Sequence, residues 1–242
     1  MTTTPLLRRY LSCLLAVILA CSPAAAAVER YPGGPIVAEL VSRMLEQTHY
    51  ARKPIDDEVS KQFLRNYLDS FDYNHMILEK SDVDELEAKY ATTLDDRVKD
   101  GDVEAAYEIY DRVIKRLEER VALVKTLSAG GFTYDVDESV VLDRHETPWA
   151  ATPKDAEEVW RQRIKHEFLL EHLSRLKAAE AKAAAEKAEA GKKEKAKAAG
   201  KDLPAEKPAD AQAKKDEKPA KELTIKETVD TRYDRTLRSY KE

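Results

Sequence analysis

The sequence predicts a mainly α, multi-helix domain with a short extended or hairpin element and a low-complexity Ala/Lys/Glu-rich insertion. Three observations carry this. Apolar residues recur at helical spacing in successive segments. Capping and breaking residues stand at the ends of those segments. Between Lys177 and Glu222, large apolar residues give way to Ala, Lys and Glu with scattered prolines.

The first 27 residues read as an export signal. Arg8 and Arg9 precede an apolar run, LSCLLAVILA, which is too short to span a bilayer, and small residues follow at SPAAAA. Two cleavage sites compete. Ala25-Ala26-Ala27 before Val28 fits ordinary removal, whereas Val17-Ile18-Leu19-Ala20-Cys21 resembles a lipobox, with a signal of residues 1–20 and a lipid anchor on Cys21. Either one places the chain outside the cytoplasm, in the periplasm or tethered to its membrane. Both cysteines, Cys13 and Cys21, lie in this segment, so the processed chain is expected to hold no disulfide and no cysteine metal site. Cleavage at Val28 would move the formal net charge from −5 to about −7, which argues against nucleic acid as a partner.

Helical signals then follow in order. PIVAELVSRMLEQTHY places Ile36, Val37, Leu40, Val41, Met44 and Leu45 in a helical pattern after Pro35. IDDEVSKQFLRNYLDSF repeats it through Val59, Phe63, Tyr67 and Leu68. SDVDELEAKYATTLDDRV opens at Ser81, three residues before Asp84, in a near-capping box, and puts Val83, Leu86, Tyr90, Leu94 and Val98 on one stripe. Asp100-Gly101 breaks that helix and Asp102 caps the next. The new helix runs through Val103, Ala106, Tyr107, Tyr110, Val113, Ile114, Leu117, Val121 and Val124 to Gly130-Gly131.

From Gly131 to Pro148 the period changes, and FTYDVDESVVLDR reads as extended chain or a hairpin. Thr152, Pro153 and Asp155 then start a helix with Trp160, Ile164, Phe168, Leu169, Leu173 and Leu176 on its buried face. The Ala/Lys/Glu stretch, residues 177–222, can prolong that helix as a solvated rod until Pro204, Pro208 and Pro219 interrupt it. LTIKETVDTRYDRTLRSYKE restores periodicity through Val229, Tyr233 and Leu237. The domains expected are therefore a helical domain over 28–176, a charged linker or insertion over 177–222, and a resumed helical region over 223–242.

Candidate chemistry is sparse. Asp69, Asp72 and His75 fall close together in YLDSFDYNHMILEKSDVDEL, where two acids beside a histidine invite a metal or triad reading. No second group has ligand-type spacing and no nucleophile elbow occurs. The plainer expectation is that Phe71, Tyr73, Met76 and Leu78 pack while the acids cap helices or face water. His166 and His172 lie on different faces of one helix, and His49 stands apart from both. His145 sits in the DRHETPW turn with Asp143, Arg144 and Trp149, a cluster that could bind a ligand or fix the loop by an Arg–carboxylate contact and an aromatic anchor. The glycines show no phosphate-loop spacing. No catalytic, cofactor-binding or metal-binding residue is assigned.

Several stretches together resemble the N-terminal domain of the tail-specific, or C-terminal-processing, serine proteases. FLRNYLDSFDYNHMILEKSDVDEL is similar to one family segment. LDRHETPWAATPKDAEEVWRQRIKHEFL is similar to a second through Asp143, Arg144, Pro148, Trp149, Trp160, Lys165 and Glu167, and IKETVDTRYDRTLR to the Arg- and Tyr-containing turns that follow. His49-Tyr50 before an Ala51-x-x-Pro54 step also fits. The order holds over Val28–Leu176 and resumes at Leu223.

The resemblance implies a PDZ domain and a Ser/Lys catalytic platform further along, outside these 242 residues. Ser60, Ser70, Ser81, Ser128, Ser139, Ser174 and Ser239 match no family nucleophile. It implies protein partners: the rest of the protease, protein substrates and an adaptor. The chain would then be the inactive scaffold portion of a periplasmic endopeptidase that trims exported proteins from their C-termini. The alternative is a stand-alone exported helical module that binds a protease or envelope partner.

Overall fold

The central helix is the long one expected after Asp102, and the row that buries it is read directly from the sequence. The structure, a computed structural model, describes residues 29–50, 53–198 and 223–242. The signal, both cysteines and the prolines of the low-complexity stretch lie outside the described residues. Seven helices are described: α1 Gly34–Thr48, α2 Asp57–Asp72, α3 Lys80–Tyr90, α4 Leu94–Lys99, α5 Glu104–Gly130, α6 Pro153–Ala198 and α7 Ile225–Lys241. No described helix is long and apolar enough to cross a membrane.

Along α5, Ala105, Ile109, Val113, Leu117, Val121 and Val124 form a buried line with helical spacing. Leu64 and Leu68 of α2, Val83, Leu86 and Tyr90 of α3, and Leu94 of α4 close over its first half. Trp160 and Ile164 of α6 and Val229 of α7 close over Val124. Each fully buried Leu, Ile or Val contributes about 1.5–3 kcal/mol. Tyr233 touches both clusters, so α7 belongs to the same packed body although the low-complexity stretch separates it in sequence. Its start is fixed by Thr224, whose Oγ1 accepts the Glu227 N–H at 3.1 Å, while Glu227 accepts the Thr224 N–H at 2.7 Å. Near its end, the Tyr240 hydroxyl donates to the Phe71 carbonyl at 2.9 Å.

Several expectations need correction. The stripe expected as one helix from Ser81 to Val98 is two helices, with a turn at Ala91–Thr93. The Ser60 hydroxyl reaches that turn: it accepts the Leu94 N–H at 2.9 Å and lies 3.4 Å from the Tyr90 carbonyl. The start of α3 is not capped by Ser81. Its N-cap is Glu79, and Asp82 accepts the Glu79 N–H at 3.0 Å. Val59 and Phe63 of α2 are exposed while Ser60, Leu64 and Leu68 are buried, so the packed face is rotated from the expected one. Leu173 and Leu176 are exposed because the body they would pack on ends near Phe168.

Other expectations hold. Thr152 and Asp155 exchange reciprocal hydrogen bonds at 3.1 and 3.2 Å and start α6. Asp102 accepts the Glu104 N–H at 2.9 Å, although the first helical residue falls two positions later. The helix α6 continues into the Ala/Lys/Glu stretch as far as Ala198. Between α5 and α6 the chain has neither helix nor paired strand, so no hairpin forms there; an isolated parallel bridge joins Ala150 to Glu79.

The helix α1 differs from the rest. It packs beside α4. Yet Ile36, Val37, Leu40, Val41, Met44 and Leu45 are all exposed, between 46 and 70 %. The close approach of the two is made at Gly101. This residue has φ 74°, and a Cβ there would stand 2.9 Å from the Pro35 carbonyl oxygen.

Candidate functional site

The Asp69–Asp72–His75 cluster lies where α2 ends and the chain turns into α3. Asp72 is the last residue of α2, and it is buried. Its Oδ1 accepts the Met76 N–H at 2.7 Å, both oxygens accept from Ile77 at 3.0 Å, and Oδ2 accepts from Leu78 at 2.9 Å. Trp149 Nε1 adds a fourth donor at 3.1 Å. One carboxylate therefore satisfies three backbone donors that the turn leaves without helical partners and draws the distant DRHETPW turn onto them. Burial pushes the Asp72 carboxyl above the usual carboxylate range, while these hydrogen bonds oppose that push.

The expectation that the acids cap helices or face water is corrected for Asp72, which is buried and accepts from the turn between α2 and α3, while Glu79 and Asp82 cap α3. Leu78 packs in the core, whereas Tyr73 is exposed. The Tyr73 ring stacks on His145, with centroids 4.2 Å apart and planes 2° from parallel.

His75 is 3 % exposed and adopts φ 51°, a left-handed conformation in which histidine is uncommon. Its ring stacks on Trp149 with centroids 3.7 Å apart. Nδ1 lies 2.6 Å from the Thr147 carbonyl oxygen, and Nε2 lies 3.3 Å from Asp69 Oδ1. His145 completes the group from the far side: its Nδ1 is 3.4 Å from the Tyr73 carbonyl oxygen. Asp69, His75 and His145 each offer one ligand atom, and these atoms lie within 4.8 Å of one another. No local spacing joins His145 to His75, which lie 70 positions apart, so the sequence carries no signal that pairs them.

The DRHETPW turn is fixed by its aromatic anchor, Trp149, and not by the expected Arg–carboxylate contact. The Arg144 backbone N–H donates to Asn74 Oδ1 at 3.1 Å, and its guanidinium Nε is buried without a hydrogen-bond partner among the described residues. Burial lowers the Arg144 pKa, and the nearby Asp72 charge partly offsets this. Asp143 accepts the His145 N–H at 3.2 Å. The His49 and Tyr50 rings lie 4.5 Å apart, tilted by 42°, while His166 and His172 lie on α6 away from the cluster.

Two further polar hubs, missed in the sequence, lock helices together. At the first turn of α3, Asp82 is buried and accepts from Arg116 Nε at 2.7 Å and Nη2 at 3.1 Å, and from Arg112 Nη1 at 2.8 Å. Glu79 beside it accepts from Arg120 Nη2 at 3.0 Å, while Arg120 Nε donates to the Ile77 carbonyl at 3.2 Å. Burial works against the Asp82 charge, but the arginine hydrogen bonds together outweigh it and hold its pKa below the usual carboxylate range. Between α6 and α7, Glu167 accepts from the Tyr233 hydroxyl at 2.8 Å, Arg163 Nε at 3.1 Å and Arg232 Nη1 at 2.9 Å. Trp160 Nε1 donates to the Met76 carbonyl at 2.8 Å, tying α6 to the turn after α2.

The family model described as the tail specific protease N-terminal domain matches residues 41–241 of this chain. The tail-specific protease of Haemophilus influenzae is 33 % identical over 125 residues, which cover 52 % of this chain and 18 % of that protein. The chain thus spans under a fifth of the length of that curated relative.

Proposed function

Because the chain belongs to the tail specific protease N-terminal domain family, we propose that it is the scaffold portion of an exported tail-specific serine endopeptidase. In this reading the catalytic serine and lysine and the substrate-binding PDZ domain come from the rest of a longer protein. The helical body frames the space in which protein substrates are held. One observation carries the reading. Asp82, Trp149, Trp160 and Glu167, which lie in the segments that give the resemblance, all serve as ties between helices or between a helix and a turn. They are spent on assembly, which is what a scaffold asks of them.

The domain limits follow the same reading: a signal over 1–27, or a lipoprotein signal over 1–20; a helical domain over 28–176; an insertion over 177–222; and a resumed helical region over 223–242. The purified chain is expected to hydrolyse no peptide. Cleavage that a serine-reactive inhibitor abolishes would overturn the proposal. Mass spectrometry of the N-terminus distinguishes an acylated Cys21 from a free Val28, and either one supports export.

A second reading, a stand-alone exported module that binds a protease or envelope partner, rests on the exposed apolar row of α1. The nucleotide sequence after Glu242 separates the two. An open frame encoding a PDZ domain and a Ser/Lys platform supports the scaffold, and a stop codon supports the module.

A further inference from the structure

We propose that Asp69, His75 and His145 form a zinc site that clamps the end of α2 to the DRHETPW turn. A carbonyl oxygen only accepts, so the Thr147 oxygen at 2.6 Å places the proton of His75 on Nδ1. That leaves Nε2 with its lone pair facing the Asp69 carboxylate, acceptor against acceptor, at 3.3 Å. Either a second proton or a cation resolves this opposition.

The spacing favours the cation. A charge-assisted N–H···O bond to a carboxylate settles at about 2.7–2.9 Å. Zinc bonds of about 2.0–2.2 Å at a tetrahedral angle instead set two ligand atoms about 3.3–3.5 Å apart. The observed separation is 3.3 Å.

The third ligand is at hand. One ring nitrogen of His145 lies within 4.8 Å of the other two ligand atoms, and this ring is the more exposed of the two. Both imidazoles carry the support that metal-bound histidines need: each turns Nδ1 toward a backbone carbonyl, Thr147 for His75 and Tyr73 for His145. Each is also stacked on an aromatic ring, which fixes its plane. Two imidazoles and one carboxylate suit zinc, with water in the fourth position, and not calcium or magnesium, which take oxygen ligands. The left-handed backbone of His75 has a use here, since it aims the ring between α2 and the turn.

The test uses the purified chain, cleared of metal by a chelator and dialysed. Titration with Zn²⁺ by calorimetry is expected to give one ion per chain and a raised melting temperature. Co²⁺ is expected to give the visible absorption of a four- or five-coordinate ion. Asp69→Asn and His145→Ala should each weaken Zn²⁺ binding at least ten-fold with an unchanged far-UV circular dichroism spectrum, while His172→Ala on the exposed part of α6 should not. His75→Ala is avoided because that side chain is buried. Absence of saturable binding at one equivalent overturns the proposal. Binding that survives both Asp69→Asn and His145→Ala also overturns it.

Discussion

Replacing Asp82 with asparagine tests whether the polar hub at the start of α3 holds the fold. The side chain is 3 % exposed and accepts four hydrogen bonds, three from arginines and one from the Glu79 N–H. Removing one partner from a buried ion pair costs about 3–5 kcal/mol when the other charge stays buried. Here the Arg112 and Arg116 side chains are 25 and 21 % exposed, so water partly rehydrates them and the cost falls toward the lower end. Losing the cap on α3 adds about 1 kcal/mol. Asparagine keeps one acceptor oxygen, which recovers part of the sum. A net loss of about 3 kcal/mol results, a large share of the roughly 5–15 kcal/mol typical of a domain. With a urea slope of about 2 kcal/mol/M, the midpoint drops by about 1.5 M.

The pH dependence supplies the sharper check. The pKa of folded Asp82 is held below its unfolded value. Its contribution is therefore fully present above the unfolded value, about 3.9, and is lost as the pH falls through the folded one. The stability gap between wild type and Asp82→Asn should be constant from about pH 7 to pH 5 and should narrow below about pH 4. Urea unfolding followed by far-UV circular dichroism at a series of pH values measures it. Glu85→Gln, which removes an exposed partner of the same Arg112, should cost less than about 1 kcal/mol. A midpoint for Asp82→Asn within 0.2 M or so of wild type at neutral pH would refute the reasoning. So would a gap that widens in acid.

Gly101→Ala should destabilise by about 1–3 kcal/mol, because φ is positive and a Cβ there meets the Pro35 carbonyl; thermal melts measure it. Tyr233→Phe should cost about 1 kcal/mol, since Glu167 keeps its two arginine donors. Burial and then the Glu167 charge raise the Tyr233 pKa, so its contribution is present below about pH 10 and lost above it; wild type should lose more stability than Tyr233→Phe over that range. Ile109→Ala in the buried row of α5 should cost about 2–5 kcal/mol, whereas Leu40→Glu on the exposed row of α1 should change unfolding by no more than about 0.5 kcal/mol. Similar losses for these two would mean that the apolar row of α1 is buried.

What the sequence made legible was local. The row along α5 follows from helical periodicity because one face of a long amphipathic helix must leave water, and the Thr152–Asp155 and Asp102 caps follow from orphan N–H groups that need acceptors nearby. What stayed hidden was set by the third dimension. The apolar pattern of α1 is as clear as that of α5, yet only the placement of neighbours decides that it is left accessible to solvent. The break at Ala91–Thr93 carries no glycine or proline, so periodicity ran straight through it. His145 meets His75 only because Trp149 is drawn onto the Asp72 carboxylate, a contact between residues far apart in the chain.

The polar hubs explain why such contacts fall where they do. Apolar rows repeating every three or four residues allow two helices to slide by one turn, about 5.4 Å, and still bury similar area. A buried carboxylate held by named donors does not survive that slip. If α7 moved one turn past α6, Tyr233 and Arg232 would leave Glu167, which would keep only Arg163 in a low-dielectric interface. The same holds for Trp160 against the Met76 carbonyl. The hydrophobic rows supply most of the stabilisation and these directional contacts choose one register among near-equals. The segments that mark the family in sequence therefore include the residues that set how its helices mesh.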